Sequence, residues 1–210
     1  MPEGIYQFFN SPFSNTIENQ NKNSIKYKKY ITAPLNRLYL DLLPVACAVH
    51  PCFETRPSRC ISSPYTDRRF SPNTPLKEYM YLRFRQSGKS KDIAGLYFDM
   101  GADYYSYGLR IYKQTAAGFQ ETKDKLMDTP NKAKAVLKQV KANGFNIIGE
   151  KYKVNHYPEI SEDTLNDFLN RKTFYIAKEE AVNSKVFSSE LADEITQGFM
   201  QLKAFADLIL

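Results

Sequence analysis

The chain has 210 residues, of which 42% are hydrophobic and 25% charged, a balance that excludes a fibrous or disordered protein and favours one globular domain. No stretch approaches the roughly 18 consecutive apolar residues of a membrane helix, and the start lacks the build of a secretion signal, so we expect a cytoplasmic protein with no membrane partner. The net charge of +6 is compatible with an acidic partner, although the basic residues are spread along the chain and mixed with acids.

The first part of the chain divides into an arm and the start of a helical region. Residues 1–23 are predicted to form an N-terminal arm, and residues 24–210 a single α+β domain. Apolar residues then repeat at helical spacing: Ile31, Leu35, Leu38 and Leu42. Pro34 interrupts this pattern. Either one helix kinks there, or a second helix begins with Pro34 in its first turn, where the missing N–H has no cost.

Three segments alternate between apolar and polar residues: 79–85, 93–100 and 104–112. Because short turns join them, they predict an antiparallel meander with an apolar face under helices. The other face carries charged side chains and several tyrosines: Arg83, Arg85, Asp99 and Arg110. The sequence leaves two interpretations of this face open. It is either a surface in contact with water or the floor of a pocket whose rim is the segment 59–77.

The remaining patterns predict further helices and strands. Helices are expected over 115–127 and 131–143, with Gly144 as the C-cap of the second, then over 161–170 and 188–208. Further strands are expected over 145–154 and 172–177. The whole order predicts an α+β fold, in which an antiparallel sheet, a meander plus further strands, packs with helices in a single domain.

Cations, hydroxyls and turn residues are concentrated in the segment 59–85. A predicted turn at 72–75, Pro-Asn-Thr-Pro, should hold Arg69 and Lys77 in a defined relation, because proline fixes φ. An arginine and a lysine that meet at a turn suit a carboxylate or a phosphate. Asp67 either orients Arg69 toward such a ligand or forms a structural ion pair with it, and the sequence does not decide between the two.

Known catalytic and cofactor motifs are missing from the sequence. Phosphate-loop and dinucleotide fingerprints are absent, and the potential zinc ligands Cys47, His50, Cys52 and Cys60 are poorly spaced for that metal. Three cysteines, an odd number, give no disulfide framework. We therefore predict no cofactor and no metal. Whether the protein is an enzyme stays open, since no carboxylate pair for acid–base chemistry can be assigned.

The stretch DRRFSPNTPLKEY at 67–79 resembles the signature of a bacterial family known as domain of unknown function 2461 (DUF2461). The residues that match its pattern are Asp67, Arg69, Phe70, Ser71, Pro75 and Lys77. Supporting matches are Tyr27 with Pro34, YYSYG at 104–108, LNRKTFY at 169–175 and ELADEITQGFMQLKAF at 190–205. Thr66 and Thr74 stand where the family usually has an arginine and a lysine. The resemblance implies a single α+β domain and carries over no catalytic residue.

The sequence favours a protein that binds a small anionic ligand, a phosphate or a carboxylate. Arg69 and Lys77 are the predicted primary contacts, with Asp67 orienting Arg69 and Ser71 donating a hydrogen bond. The secondary candidates are Arg59, Lys172 and Tyr107. Two alternatives stay open: a nucleic-acid-binding module that uses the Arg83, Arg85 and Arg110 face with stacking tyrosines, and a structural or protein-interaction domain. The oligomeric state is not determined by the sequence.

Overall fold

The computed structural model describes residues 28–63, 77, 79–86, 93–112, 115–161 and 163–210. The strands are β1 (Met80–Arg85), β2 (Ile93–Met100), β3 (Tyr104–Tyr112), β4 (Asn146–Ile148) and β5 (Tyr175–Ala181). They form one antiparallel sheet in the order β1-β2-β3-β5-β4, so the predicted meander is confirmed. The predicted arm at 1–23 lies outside the described residues.

Seven α-helices complete the described fold, and a π-helix, Lys28–Thr32, leads into the first. They are α1 (Ala33–Val49), α2 (Pro57–Cys60), α3 (Ala116–Asp128), α4 (Pro130–Ala142), α5 (Asp163–Leu169), α6 (Glu190–Gln201) and α7 (Lys203–Ile209), with a 3-10 turn, Ser184–Phe187, before α6. The α+β fold in a single domain is thus confirmed. None of the helices within the described ranges combines the length and the apolar content needed to cross a bilayer.

Local chemistry explains where several helices begin and end. Pro34 lies in the first turn of α1, as the second alternative expects, but Thr32 has helical φ and ψ, so the π-helix continues directly into α1. The Thr115 side chain accepts a hydrogen bond from the Gly118 N–H at 3.0 Å and so caps α3. After α4, Gly144 adopts φ +84°, a conformation that glycine takes without steric cost, and thus ends the helix as predicted.

The apolar face of the sheet packs against the helices, as the alternation predicts. Its residues are almost completely buried: Leu82, Phe84, Leu96, Phe98 and Leu109. The Phe84 ring stacks on Tyr39 of α1 at 5.8 Å between centroids and meets Phe199 of α6 edge-on at 6.5 Å. Ring pairs of this kind add about 0.5–1.5 kcal/mol beyond their buried area. The core under β1 is therefore aromatic, and it fixes the direction in which the other face of the sheet points.

Three of the predicted elements are wrong in extent. The strand expected over 145–154 ends at Ile148, because Gly149 adopts φ +143° and its backbone lies against the carbonyl of Thr173 too closely for any Cβ. The final helix, expected to be continuous over 188–208, is interrupted at Leu202 and forms α6 and α7. The strand expected over 172–177 lies at Tyr175–Ala181, and α2 was not predicted.

Candidate functional site

The face of the sheet opposite the apolar face carries polar and aromatic side chains. We call six of its residues the polar face: Tyr81, Arg83, Tyr97, Asp99, Ser106 and Arg110. The strand register places Asp99 between Tyr81 and Ser106, and it places Tyr97 beside Arg83. The polar face therefore brings together two guanidiniums, one carboxylate and three hydroxyls on three neighbouring strands.

The centre of the polar face is buried. Tyr97 is 2% exposed and Ser106 is 5% exposed, although neither belongs to the apolar core between sheet and helices. The two hydroxyl oxygens lie 3.2 Å apart and share a hydrogen bond. Burial raises the pKa of Tyr97, so its phenol keeps its proton near neutral pH. The polar face is thus not simply a surface in contact with water.

Asp99 lies on β2 at this buried centre, and its Oδ1 atom is fully enclosed without a hydrogen-bond partner in the described part of the chain. Burial raises the pKa of the Asp99 carboxyl, and the positive charges of Arg83 and Arg110 offset this only in part. A buried acceptor without a partner costs about 1–3 kcal/mol. Such a group in a folded protein is a candidate for contact with a ligand.

Tyrosine rings hold the cations in place. The Arg83 guanidinium carbon lies 3.6 Å from the centroid of the Tyr81 ring, and Arg110 lies 5.8 Å from that of Tyr97. At 3.6 Å the guanidinium lies against the face of the Tyr81 ring. Stacking of this kind fixes an arginine while it keeps the fork geometry that matches an oxyanion.

Lys77, a predicted primary contact, lies beside the polar face. Its Nζ atom is 5.1 Å from the centroid of the Tyr81 ring, which thus contacts both Lys77 and Arg83. The ammonium donates a hydrogen bond to the Ser63 carbonyl at 2.8 Å. Burial lowers the pKa of Lys77, and the charge of Arg83 adds to this effect. Lys77, the last residue of the segment 59–77, therefore lies against the polar face.

The segment after α2 runs along the edge of β1 and positions Ser63. Ile61 pairs with Leu82. The backbone N–H of Ser62 donates a hydrogen bond to the Tyr81 carbonyl at 2.9 Å, and the backbone N–H of Tyr81 donates to Oγ of Ser62 at 3.2 Å. Arg59, a secondary candidate, is exposed on α2, which precedes this segment. It therefore lies close in sequence to the carbonyl that holds Lys77.

The other predicted site residues divide into two groups. Asp67, Arg69 and Ser71 lie outside the described residues, and their roles stay predictions. Tyr107 and Lys172 are described, but the structure does not bring them to the polar face. Tyr107 is fully buried on the apolar face, where its hydroxyl contacts Glu194, and exposed Lys172 has its Nζ 5.8 Å from the Tyr152 ring centroid.

The sequence pattern assigns the charged residues to the correct face. It does not predict that Tyr97 and Ser106 are buried, or that Oδ1 of Asp99 is enclosed without a hydrogen-bond partner among the described residues. The alternation in β2 and β3 assigns Tyr97 and Ser106 to the polar face, and this is the only signal for them in the sequence. Their burial depends on tertiary packing, which no local pattern reports. Arg83, Asp99 and Arg110 were assigned to this face by the same alternation.

Thiol chemistry has little support in the structure. Cys60 is buried, burial raises the pKa of its thiol to about 11, and the thiol donates a hydrogen bond to the Glu54 carbonyl at 3.0 Å. Cys47 and Cys52 are exposed, and the backbone N–H of Cys52 donates to Nδ1 of His50 at 3.3 Å. Among the described residues, no three His, Cys, Asp or Glu side chains are grouped as a metal site requires.

The family described as a conserved hypothetical protein (DUF2461) matches residues 13–208, which is nearly the whole chain. A search of the curated proteins found no match.

Proposed function

The chain belongs to the DUF2461 family, whose description names no activity, and from the geometry of the polar face we propose that it binds a small anionic ligand, a phosphate or a carboxylate. The supporting observation is the grouping of three cations, Arg83, Arg110 and Lys77, around a buried centre with one carboxylate, Asp99. Among these four described residues the net charge is therefore positive, which favours an anion.

The two arginines are suited to this ligand because each is associated with a tyrosine ring on the sheet. An arginine side chain that a tyrosine ring holds in place on a strand loses less conformational entropy when it binds an oxyanion than a flexible surface cation does. Arg69 and Ser71 belong to the same proposal as predicted contacts from the preceding turn. Arg59, four residues before the Ser63 carbonyl that accepts from Lys77, is a further candidate contact.

A thermal-shift screen tests the proposal with phosphate, sulfate, citrate and succinate at constant ionic strength. An anion at 100 times its dissociation constant adds about 2.7 kcal/mol, which for a chain of this size is about 5–10 °C. We expect Arg83→Gln, Arg110→Gln and Arg69→Gln each to weaken binding about tenfold or more. Arg37→Gln is the matched control, since Arg37 is exposed on α1 and pairs with Asp41.

Two results would contradict the proposal. One is the absence of any anion-specific shift in the wild-type protein. The other is a shift that is the same in Arg83→Gln and Arg110→Gln as in Arg37→Gln, which would assign the effect to the protein surface in general. Short oligonucleotides at low and high salt form a third arm. Binding to them alone, with a steep decrease in affinity as salt rises, would favour the nucleic-acid alternative.

A further inference from the structure

The cations of the polar face account for the binding of an anionic ligand, but they do not account for the presence of a carboxylate, Asp99, at the same site. A carboxylate close to an anionic ligand repels it, and a site that served only to bind negative charge would be better without this residue. The structure nevertheless holds Asp99 at the buried centre, with Oδ1 enclosed and without a hydrogen-bond partner in the described residues. A ligand group that displaces a side chain covering Oδ1 and donates a hydrogen bond to this oxygen would remove the cost of the unsatisfied acceptor.

The surroundings of Asp99 restrict the kind of donor. The charges of Arg83 on β1 and Arg110 on β3 both act on its carboxyl, and the Nζ atom of Lys77 lies 5.1 Å from the centroid of the neighbouring Tyr81 ring. A second ammonium group from a ligand would be repelled by these three charges. A hydroxyl group carries no charge and can also donate to a carboxylate oxygen. The donor that fits the polar face is therefore a hydroxyl.

We infer that the ligand of the polar face is a hydroxylated anion, a hydroxy acid or a phosphate ester of a polyol, whose hydroxyl donates a hydrogen bond to Asp99. The anionic group would contact Arg83 and Arg110 on the two sides of β2. This inference rests on the proposed function, because it assigns a second contact within the same site. It adds a specificity residue, and it predicts which anions the site distinguishes.

Matched ligands test the inference by titration calorimetry at pH 7.5: malate against succinate, and glycerol 3-phosphate against propyl phosphate. Each pair differs by hydroxyl groups while the anionic group stays the same. We expect the hydroxylated member of at least one pair to bind about 10-fold or more tightly, as for a hydrogen bond to a charged acceptor. Asp99→Ala should remove this ratio, whereas Arg83→Gln should weaken both members and leave the ratio unchanged.

The outcomes separate this inference from the proposed function. If neither pair binds, the inference fails, and the thermal-shift screen with the other anions decides separately whether the proposed function fails as well. If both members of each pair bind equally, or the ratio persists in Asp99→Ala, the site binds anions but Asp99 does not receive a hydroxyl. Aspartate, which carries an ammonium group where malate carries a hydroxyl, is the remaining probe. Tighter binding of aspartate than of malate would overturn the choice of a hydroxyl.

Discussion

The Tyr107 hydroxyl donates a hydrogen bond to Oε1 of Glu194 at 3.2 Å, and Tyr105, two residues earlier on β3, donates to the same oxygen at 3.3 Å. Lys185 binds Oε2 of Glu194 at 3.0 Å, so the carboxylate has partners on both oxygens. Gly198 on α6 allows the close approach, because a Cβ there would overlap the Tyr107 ring. Tyr107 thus joins β3 to α6 and belongs to the support of the sheet.

Tyr107→Phe is therefore expected to lower stability without a change in ligand binding. Loss of a buried hydrogen bond to a carboxylate costs about 1–2 kcal/mol, here at the lower end because Tyr105 still contacts Glu194. Urea unfolding followed by circular dichroism measures the loss, and the anion-induced thermal shift measures binding. Tyr105→Phe is the matched control and should give a loss of similar size. A weaker anion shift in Tyr107→Phe alone would instead restore Tyr107 as a site residue.

Local patterns predicted the sheet well because alternation with period two is a local property. The bounds of β2 and β3 agree with the sequence prediction, and so does the assignment of residues to the two faces. The partner of Tyr107 lies 87 residues away, and the burial of Tyr97 depends on the whole fold. Neither can be read from neighbouring residues. The sequence therefore identified the polar face, but it predicted neither the burial of Tyr97 there nor the contact of Tyr107 with Glu194.

Gly108 on β3 is expected to be essential for the pairing of β3 with β5. A Cβ at this position would overlap the carbonyl oxygen of Ile176 on the neighbouring strand, and backbone atoms cannot move aside without breaking the pairing. We expect Gly108→Ala to cost about 3 kcal/mol or more in the free energy of unfolding. Denaturant titration measures this cost.

Gly101→Ala is the control for this substitution, since a Cβ there would lie 2.6 Å from the ring of Tyr104, a side chain that is 38% exposed. That ring can move into solvent, so we expect a cost of about 1 kcal/mol or less. Equal losses in the two variants would show that the close approach at Gly108 is not what the sheet depends on.

Asp167 on α5 is expected to make the fold sensitive to acid. Its own burial raises the pKa of its carboxyl, but hydrogen bonds from Lys151 and Arg171 outweigh this and lower the pKa below 3.8. Arg171 is itself buried and donates to the Gly149 carbonyl at 2.9 Å. Since the folded state holds the proton less tightly than the unfolded state, the stabilisation is present above pH 3.8 and is lost as pH falls through the lower folded pKa.

Asp167→Asn should therefore be less stable than the wild type at pH 7, by about 2 kcal/mol, and the difference should shrink below pH 3.8. The cost is smaller than for a fully enclosed pair because the Asp167 side chain is 20% exposed. Urea unfolding at pH 3, 5 and 7 measures the trend. Asp207→Asn, which removes a surface pair with Lys203, should change stability by about 0.5 kcal/mol or less at every pH.

Asp99→Asn is expected to show the opposite trend, and this contrast tests the polar face directly. Burial raises the pKa of Asp99 above 3.8 despite Arg83 and Arg110, so the folded state binds the proton more tightly than the unfolded state. Ionisation of Asp99 therefore costs stability, and this cost grows as pH rises from 3.8 through the folded pKa. At pH 7 the variant should be more stable than the wild type, and below pH 3.8 the two should agree.

The same urea series serves for both carboxylates, so Asp99→Asn and Asp167→Asn control for each other. A residue that costs stability and yet occupies a buried centre is typical of a binding site, where activity is retained at the expense of the fold. If Asp99→Asn is instead less stable at pH 7, Asp99 is held by charge pairs with its neighbours as Asp167 is. The polar face would then be a structural network, and the case for a ligand there would be lost.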